Sequence, residues 1–594
     1  MPATFNYSFW NENGRNLRRP DLAFLRTDAH NYRTLLLQLK GEIGFNDSGI
    51  WLVAEDETNK KFNSFFDIAL DQQVELAITP EYSCPIRIIN ALLAENKFPT
   101  EHNLWVVGCE SLHPNQVIEL VGTHNEITWI YDEQLVNDKA HIEPQKFFDP
   151  VLYLLNTRTA AGDLQKIGII QFKNYPFGGA EAIWERDNLI LGREFYVISN
   201  QIESSRLVTL ICSDTLDDFD FNTVQDSMFI NVPLLIIHIQ LNAKPFKDTY
   251  KKYRNTVFSK GDKDWNKEMI CLNWARNVSY DHDGVKEIFN KYGGSAFYLK
   301  SEKINKRDSR INENHVKGLY YTNWHEKRAH IYFLNFDEYV FLVENTKPSQ
   351  SSADPTQLNR SGPRTLNVYQ FNGELWVEKV EKLPDGFSTV IEEFEAEGAD
   401  LSCISSSIEY VDVERIVELS NGDILGKPDW FTVENLKAFI VDDHEINNRL
   451  LFYHDPDEDS LNIKKRKLAN YSILKNGIII EPANLPHGFG DGRIAFPLPG
   501  NTPDRYLTNI SSTTNSARRA TGVYLGPSTR NNAQKVKDHI ASLFKETHQG
   551  KLVLVWFEGP IGRVREPENI PMPGIKDDVS NAPNSFKKKG KLWT

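Results

Sequence analysis

The chain has 594 residues, 40% hydrophobic and 11% aromatic, and a formal net charge of −14. That length suits two or three globular domains with sizeable cores, and the acidity argues against a general nucleic-acid binder, leaving at most a local basic patch. Five cysteines (84, 109, 212, 271, 403) show no paired spacing, no apolar run is long enough for a membrane span, and the amino terminus lacks the apolar core of a signal peptide; reduced thiols in a soluble, cytoplasmic protein are the expectation.

In chain order, residues 1–44 read as an N-terminal extension in which Tyr32 to Leu39 is expected to form a short docked helix. Ile50-Trp-Leu-Val-Ala54 reads as a strand, Phe62, Phe65, Phe66, Ala69 and Leu70 as one face of a helix, and Val74 to Thr79 as a strand that leads to Glu81, giving a βαβ opening. Asn103 to Gly108 is the next strand, and Ile118 to Val121 with Thr128 to Tyr131 is expected to form a hairpin. Val151 to Leu155 precedes a polar turn at Gly162-Asp163, after which Lys166-Ile-Gly-Ile-Ile-Gln-Phe172 delivers Lys173. Arg206-Leu-Val-Thr-Leu-Ile stops abruptly at Cys212, followed by Ser213 and Asp214. Leu234 to Ile239 reads as a buried strand, Phe246 to Phe258 as a charged surface helix and Met269 to Asn273 as a strand.

Residues 347–365 are rich in Ser, Pro, Asn and Gly and read as a linker, followed by a two-residue hairpin at Asn372-Gly373. Beyond it, Thr521 to Leu525 and Lys551 to Phe557 read as strands, and Ala533, Val536, Ile540 and Leu543 give a helix an apolar face. A second α/β domain is therefore expected. The last stretch, with Lys587-Lys-Lys589, reads as a disordered tail.

A carboxylate (Glu81), an ammonium (Lys173) and a thiol (Cys212) thus stand at the carboxyl ends of apolar strands, where side chains can converge on a crevice. A cysteine has a reference pKa of about 8.5, so a nucleophilic role needs a base or a cation beside it, and these two residues supply one of each.

Pro80-Glu81-Tyr82, Lys173-Asn-Tyr-Pro-Phe-Gly-Gly-Ala-Glu181 and Leu210-Ile-Cys212-Ser-Asp214 resemble, in order, the glutamate, lysine and cysteine motifs of the nitrilase superfamily of carbon-nitrogen hydrolases. Trp105-Val-Val-Gly108 and Tyr292-Gly-Gly294-Ser295 extend the likeness over about residues 45–345. The resemblance implies an α/β fold with a four-layer α-β-β-α sandwich at 45–346; composition and apolar patterning, not the resemblance, give the loop and hairpin at 347–392, the second mixed α/β domain at 393–570 and the disordered basic tail at 571–594. The resemblance also implies hydrolysis of non-peptide C-N bonds (amide, nitrile or carbamoyl) through a cysteine acyl-enzyme. Glu81 would be the base, Cys212 the nucleophile, Lys173 and the Ser213 N-H the oxyanion donors, and Glu181 a supporting carboxylate, with no metal or cofactor. A small-molecule substrate, a homo-oligomer and a protein partner for the second domain are the expected contacts. The alternative is a non-catalytic regulatory module of the same fold, as in bacterial phage-defence systems.

The other cysteines read as buried structural thiols, and Asp214 as the anchor of the turn after Cys212. His325 and His330 stand five apart, one too many for a zinc-protease helix. Asp455, Asp457 and Asp459 lack the glycine and the closing acid of a calcium loop. Gly488, Gly490 and Gly492 have no flanking strand and helix and read as a turn. Lys464-Lys-Arg-Lys467 reads as a solvated face.

Overall fold

The computed structural model describes residues 4–383 apart from positions 27–30, 142, 178–182, 201–204, 216–232, 244–252, 255–256, 259–266, 283–284, 290–293, 301–309, 325–328, 348–361 and 382, and beyond them the strands 494–495, 510–512, 520–527, 552–558 and 565–570 with a few isolated positions. The chain divides into two units, Met1–Tyr321 with Lys327–Leu383, and Thr322–Glu326 with Pro384–Thr594. No helix among the described residues is long and apolar enough to cross a membrane.

A nine-stranded sheet in the first unit runs in the order Trp376–Glu378, Arg364–Phe371, Tyr339–Thr346, Asn31–Gln38, Leu76–Ile78, Leu104–Gly108, Pro150–Arg158, Leu164–Phe172, Thr128–Ile130. Its middle strands, 31–38, 76–78 and 104–108, are parallel; the last two are buried along their length and the first from Thr34 onward, which accounts for their largely apolar sequence. Helix Glu55–Asp71 opens on three acids that suit its positive end and buries Phe62, Phe65, Phe66 and Ala69. Phe66 lies 4.7 Å, centroid to centroid, from Trp105 of the sheet.

A seven-stranded sheet runs Ile198–Ser199, Arg206–Ile211, Leu234–Ile239, Lys267–Leu272, Ala296–Lys300, Ala329–Leu334, Leu319–Trp324. Strands 206–211, 234–239 and 267–272 are parallel. The two sheets are joined directly: Gln171 Nε2 donates to the Thr209 carbonyl at 2.9 Å, and Trp274 Nε1 to the Glu81 carbonyl at 2.7 Å. The chain is thus a mixed α/β protein with several sheets. The helical cover expected over the second sheet falls largely outside the described residues; of the segment read as a charged surface helix, Tyr253, Arg254, Val257 and Phe258 are helical but buried, and Tyr253 meets His238 edge-on.

Three local expectations are corrected. Tyr32 to Leu39 is a strand, not a docked helix, because it pairs on both sides, with 339–346 and with 76–78. Its register makes it the first strand of the βαβ unit, while the strand at Gly49–Leu52 pairs with Glu42–Asn46 in a small four-stranded sheet. Residues read as a hairpin at 118–131 are instead helix Pro114–Thr123 followed by a strand parallel to 164–172. That helix starts with a reciprocal cap between His113 and Gln116 and carries proline in its first turn. Strands 339–346 and 364–371 pair within one sheet, so the hairpin after the linker belongs to the first unit.

Within the second unit, a sheet runs Ile494–Ala495, Ile510–Ser512, Ala520–Pro527, Leu552–Glu558, Arg565–Ile570, with 520–527 parallel to 552–558. Both expected strands are present. The expected helix at 533–543, Cys403, the tail and the decoy segments at 455–459 and 488–492 lie outside the described residues.

Candidate active site

Each of the three chemistry-bearing residues follows a strand: Glu81 comes just after Leu76–Ile78, Lys173 after Leu164–Phe172 and Cys212 after Arg206–Ile211. The first turn is shaped by a glycine: a Cβ on Gly108 would stand 2.1 Å from the Pro80 carbonyl oxygen and 3.0 Å from the Glu81 Cα. Only a residue without a side chain lets strand 104–108 pass this close to Glu81. Gly108→Ala is therefore expected to cost about 1–3 kcal/mol and to displace Glu81, measurable as a lower midpoint in urea; an unchanged midpoint would mean the turn has slack.

Lys173 and Glu81 are brought into direct contact, Nζ to Oε1 at 2.8 Å, with both side chains only 1% exposed. Two further carboxyl groups surround the same ammonium, Glu185 Oε1 at 2.5 Å and Asp149 Oδ2 at 3.3 Å, and the Tyr82 ring centroid lies 5.5 Å away. Burial alone would push the Lys173 pKa down, but Glu185 and Glu81 outweigh it with help from Tyr82 and Asp149, so the pKa is raised and the group stays a cation. Burial also raises the Glu185 carboxyl, against the pull of Lys173. The other oxygen of Glu81, Oε2, accepts from the Leu241 backbone N-H, just past the end of strand 234–239.

Cys212 opens a short 3-10 turn, Cys212–Thr215, and is 3% exposed. Its φ of 36° lies in the left-handed region, a conformation that costs a non-glycine residue about 1 kcal/mol and recurs where a side chain must be aimed. Asp214 anchors this turn, as expected: Oδ2 accepts from the Ile211 N-H at 3.0 Å and Oδ1 from Asn174 and Tyr175 at 2.7 and 3.1 Å. The thiol's turn is thereby tied to the residue next to Lys173. Burial raises the Asp214 pKa to about 7 against these backbone hydrogen bonds.

His238 supports the other side. Gln240 Nε2 donates to its Nδ1 at 2.8 Å, which leaves Nε2-H to donate to the Cys212 carbonyl at 3.0 Å. Burial pushes its pKa down to about 3, so the imidazole is neutral and holds the backbone of Cys212 rather than a charge. A network of hydrogen bonds and short chain links thus ties the turn of Cys212 to the other two: Asp214 holds the backbone of Asn174, next to Lys173, and the segment from His238 to Leu241 holds the Cys212 carbonyl at one end and Glu81 at the other. The Ser213 hydroxyl is turned to the Tyr175 carbonyl at 2.7 Å.

Glu181, which the resemblance implied as a supporting carboxylate, lies outside the described residues. The carboxylates on Lys173 that the sequence reading passed over are Glu185, on helix Ile183–Asn188, and Asp149, immediately before strand Pro150–Arg158. Glu185 stands four positions beyond Glu181 in the sequence, and this was the only local signal for it. Cys84, Cys109 and Cys271 are buried, matching their reading as structural thiols.

No family model matches the sequence, and no curated protein matches it. Among solved structures the chain is similar to a carbon-nitrogen hydrolase from Helicobacter pylori G27, at 12% identity over 45% of this chain and 82% of that one, with a TM-score of 0.26.

Proposed function

We propose that the chain is a nitrilase-like hydrolase of non-peptide carbon-nitrogen bonds, acting on an amide, nitrile or carbamoyl compound through a cysteine acyl-enzyme. The observation that carries this reading is the network joining a cysteine in a left-handed turn to a buried Lys173–Glu81 ion pair. For an amide, Glu81 takes the thiol proton as Sγ bonds to the carbonyl carbon, and the π electrons move to oxygen. Lys173 gives two hydrogen bonds to Glu81 and Glu185, and its remaining N-H, with the Ser213 backbone N-H, receives the oxyanion. Collapse expels the amine, which takes the proton from Glu81. Water then gives a proton to Glu81 and hydroxide to the thioester, and the acid leaves as the thiol is restored. The reaction uses only these side chains. The second unit is assigned to partner binding or substrate choice, the first to pairing with another copy, and the whole to the cytoplasm.

Alkylation tests the nucleophile. Iodoacetamide should modify Cys212 before Cys84, Cys109 and Cys271, whose thiols are all raised by burial, Cys271 to about 12. Peptide mapping at short times reads the order. Cys212 labelling no faster than these three, while a small amide still reaches the site, would end the assignment.

A further inference from the structure

Lys173 is a single cation among three buried carboxyl groups, and Asp149 is the one among them that the catalytic route does not use. The Lys173 backbone N-H donates to the Asp149 carbonyl at 2.9 Å, so the strand pairing that places the lysine also places the aspartate. Its side chain is 1% exposed, and among the described residues neither carboxyl oxygen accepts a hydrogen bond from an N-H or O-H group. As an ion it would be stripped of water with only the Lys173 ammonium in exchange, at 3.3 Å and already bonded to Glu81 and Glu185, at a cost of several kcal/mol. Three anions around one cation would also leave the cluster with two uncompensated negative charges. Two ionised carboxylates cannot bond to each other; with one proton between them they can.

We propose that Asp149 carries a proton at neutral pH and donates it in a hydrogen bond to Glu81, as a positioning residue that orients the base and leaves the cluster one net negative charge. The role in orienting a base rests on the hydrolase reading of Glu81; the protonation itself does not. The groups facing Asp149 are Glu81 and Tyr82 after strand 76–78, Lys173 after 164–172, Glu185 on its short helix and the Cys109 thiol at the end of 104–108. Burial raises the Asp149 carboxyl well above the ordinary carboxylate range, Glu81 adds to this and Lys173 opposes it. The arrangement has the logic of a carboxyl pair sharing one proton, in which only one member ionises readily.

The test is the pH dependence of stability in Asp149→Asn. A carboxyl whose pKa is higher folded than unfolded contributes most below its unfolded value, and loses that contribution as pH rises toward the folded value. Asparagine has no proton to lose, so between about pH 5 and 8 the variant's melting temperature should gain on the wild type by roughly 1–2 °C per pH unit. The opposite slope, with the variant losing ground as pH rises, is the mark of an ionised Asp149 paired with Lys173 and overturns the proposal. Should the variant not fold, wild-type protein carrying carbon-13 aspartate is examined by infrared at about pH 8.5, where unshifted aspartates are ionised. A protonated-acid carbonyl band is expected, and its absence overturns the proposal. For the orienting role, Asp149→Leu should slow Cys212 alkylation roughly tenfold and Asp149→Asn should recover most of it; equal rates in both variants and wild type overturn that role. An unreactive Cys212 in wild type would sink the hydrolase reading, while the melting slope and the infrared band still decide the protonation.

Discussion

Cys212→Ala is expected to lower turnover by roughly 10⁴-fold or more while the protein stays folded, because the nucleophile of a covalent route has no substitute once its thiol is gone. Neither of two candidate replacements among the described residues is free to step in. The Ser213 hydroxyl is committed to the Tyr175 carbonyl, and burial pushes the Cys271 thiol up to about 12. The fold should survive since the turn is held by main-chain donors to Asp214 and by His238 on the residue-212 carbonyl, none of which needs the sulfur. Comparing small metabolites consumed by wild type and variant identifies the substrate, and kcat on that substrate then measures the loss. A variant that folds, binds and turns over the substrate within tenfold of wild type would rule out the acyl-enzyme.

Lys173→Ala is expected to damage both stability and catalysis. The oxyanion role that the resemblance implies for Lys173 would by itself make its removal cost about 10²–10³ or more in turnover and leave the fold intact. The structure makes it in addition the one cation that, among the described residues, contacts Glu81, Glu185 and Asp149. Removing one partner of a buried ion cluster strands the others, at a cost of about 3–5 kcal/mol. The loss has a sign in pH. Without the ammonium the stranded carboxyls are held protonated in the folded state, so stability is retained near pH 4 and falls as pH rises toward 8. Melting curves of variant and wild type at several pH values test this: the deficit should widen with pH. A constant deficit would mean that the carboxyl groups do not depend on Lys173 for their charge balance.

The strand ends that bear Glu81, Lys173 and Cys212 were legible because a buried parallel strand is an unbroken apolar run, and a charged or reactive residue at its end is visible as a break in that run. The same logic located 234–239, 267–272 and the strands at 520–527 and 552–558. It failed where an apolar run fits two periods. Tyr32 to Leu39 is too short, with its apolar residues bunched at Leu35 to Leu37, for its spacing to separate helix from strand, and only the two partners it finds, one from the far end of the unit at 339–346, decide it.

Partners of the ammonium belong to the same class. Nothing local to Asp149 marks it, since it precedes an ordinary strand and lies 24 positions before Lys173; the antiparallel register of 150–158 against 164–172 brings the two together. Glu185 arrives by a short helix that folds back over the lysine. Sequence by itself determined which residue types stand at the strand ends, because that follows from local apolar patterning. How many carboxyl groups share one buried cation, and hence which of them keeps a proton, was decided only by tertiary structure, because the energy of a charge in a dry site depends on every other charge within a few ångströms and not on its neighbours along the chain.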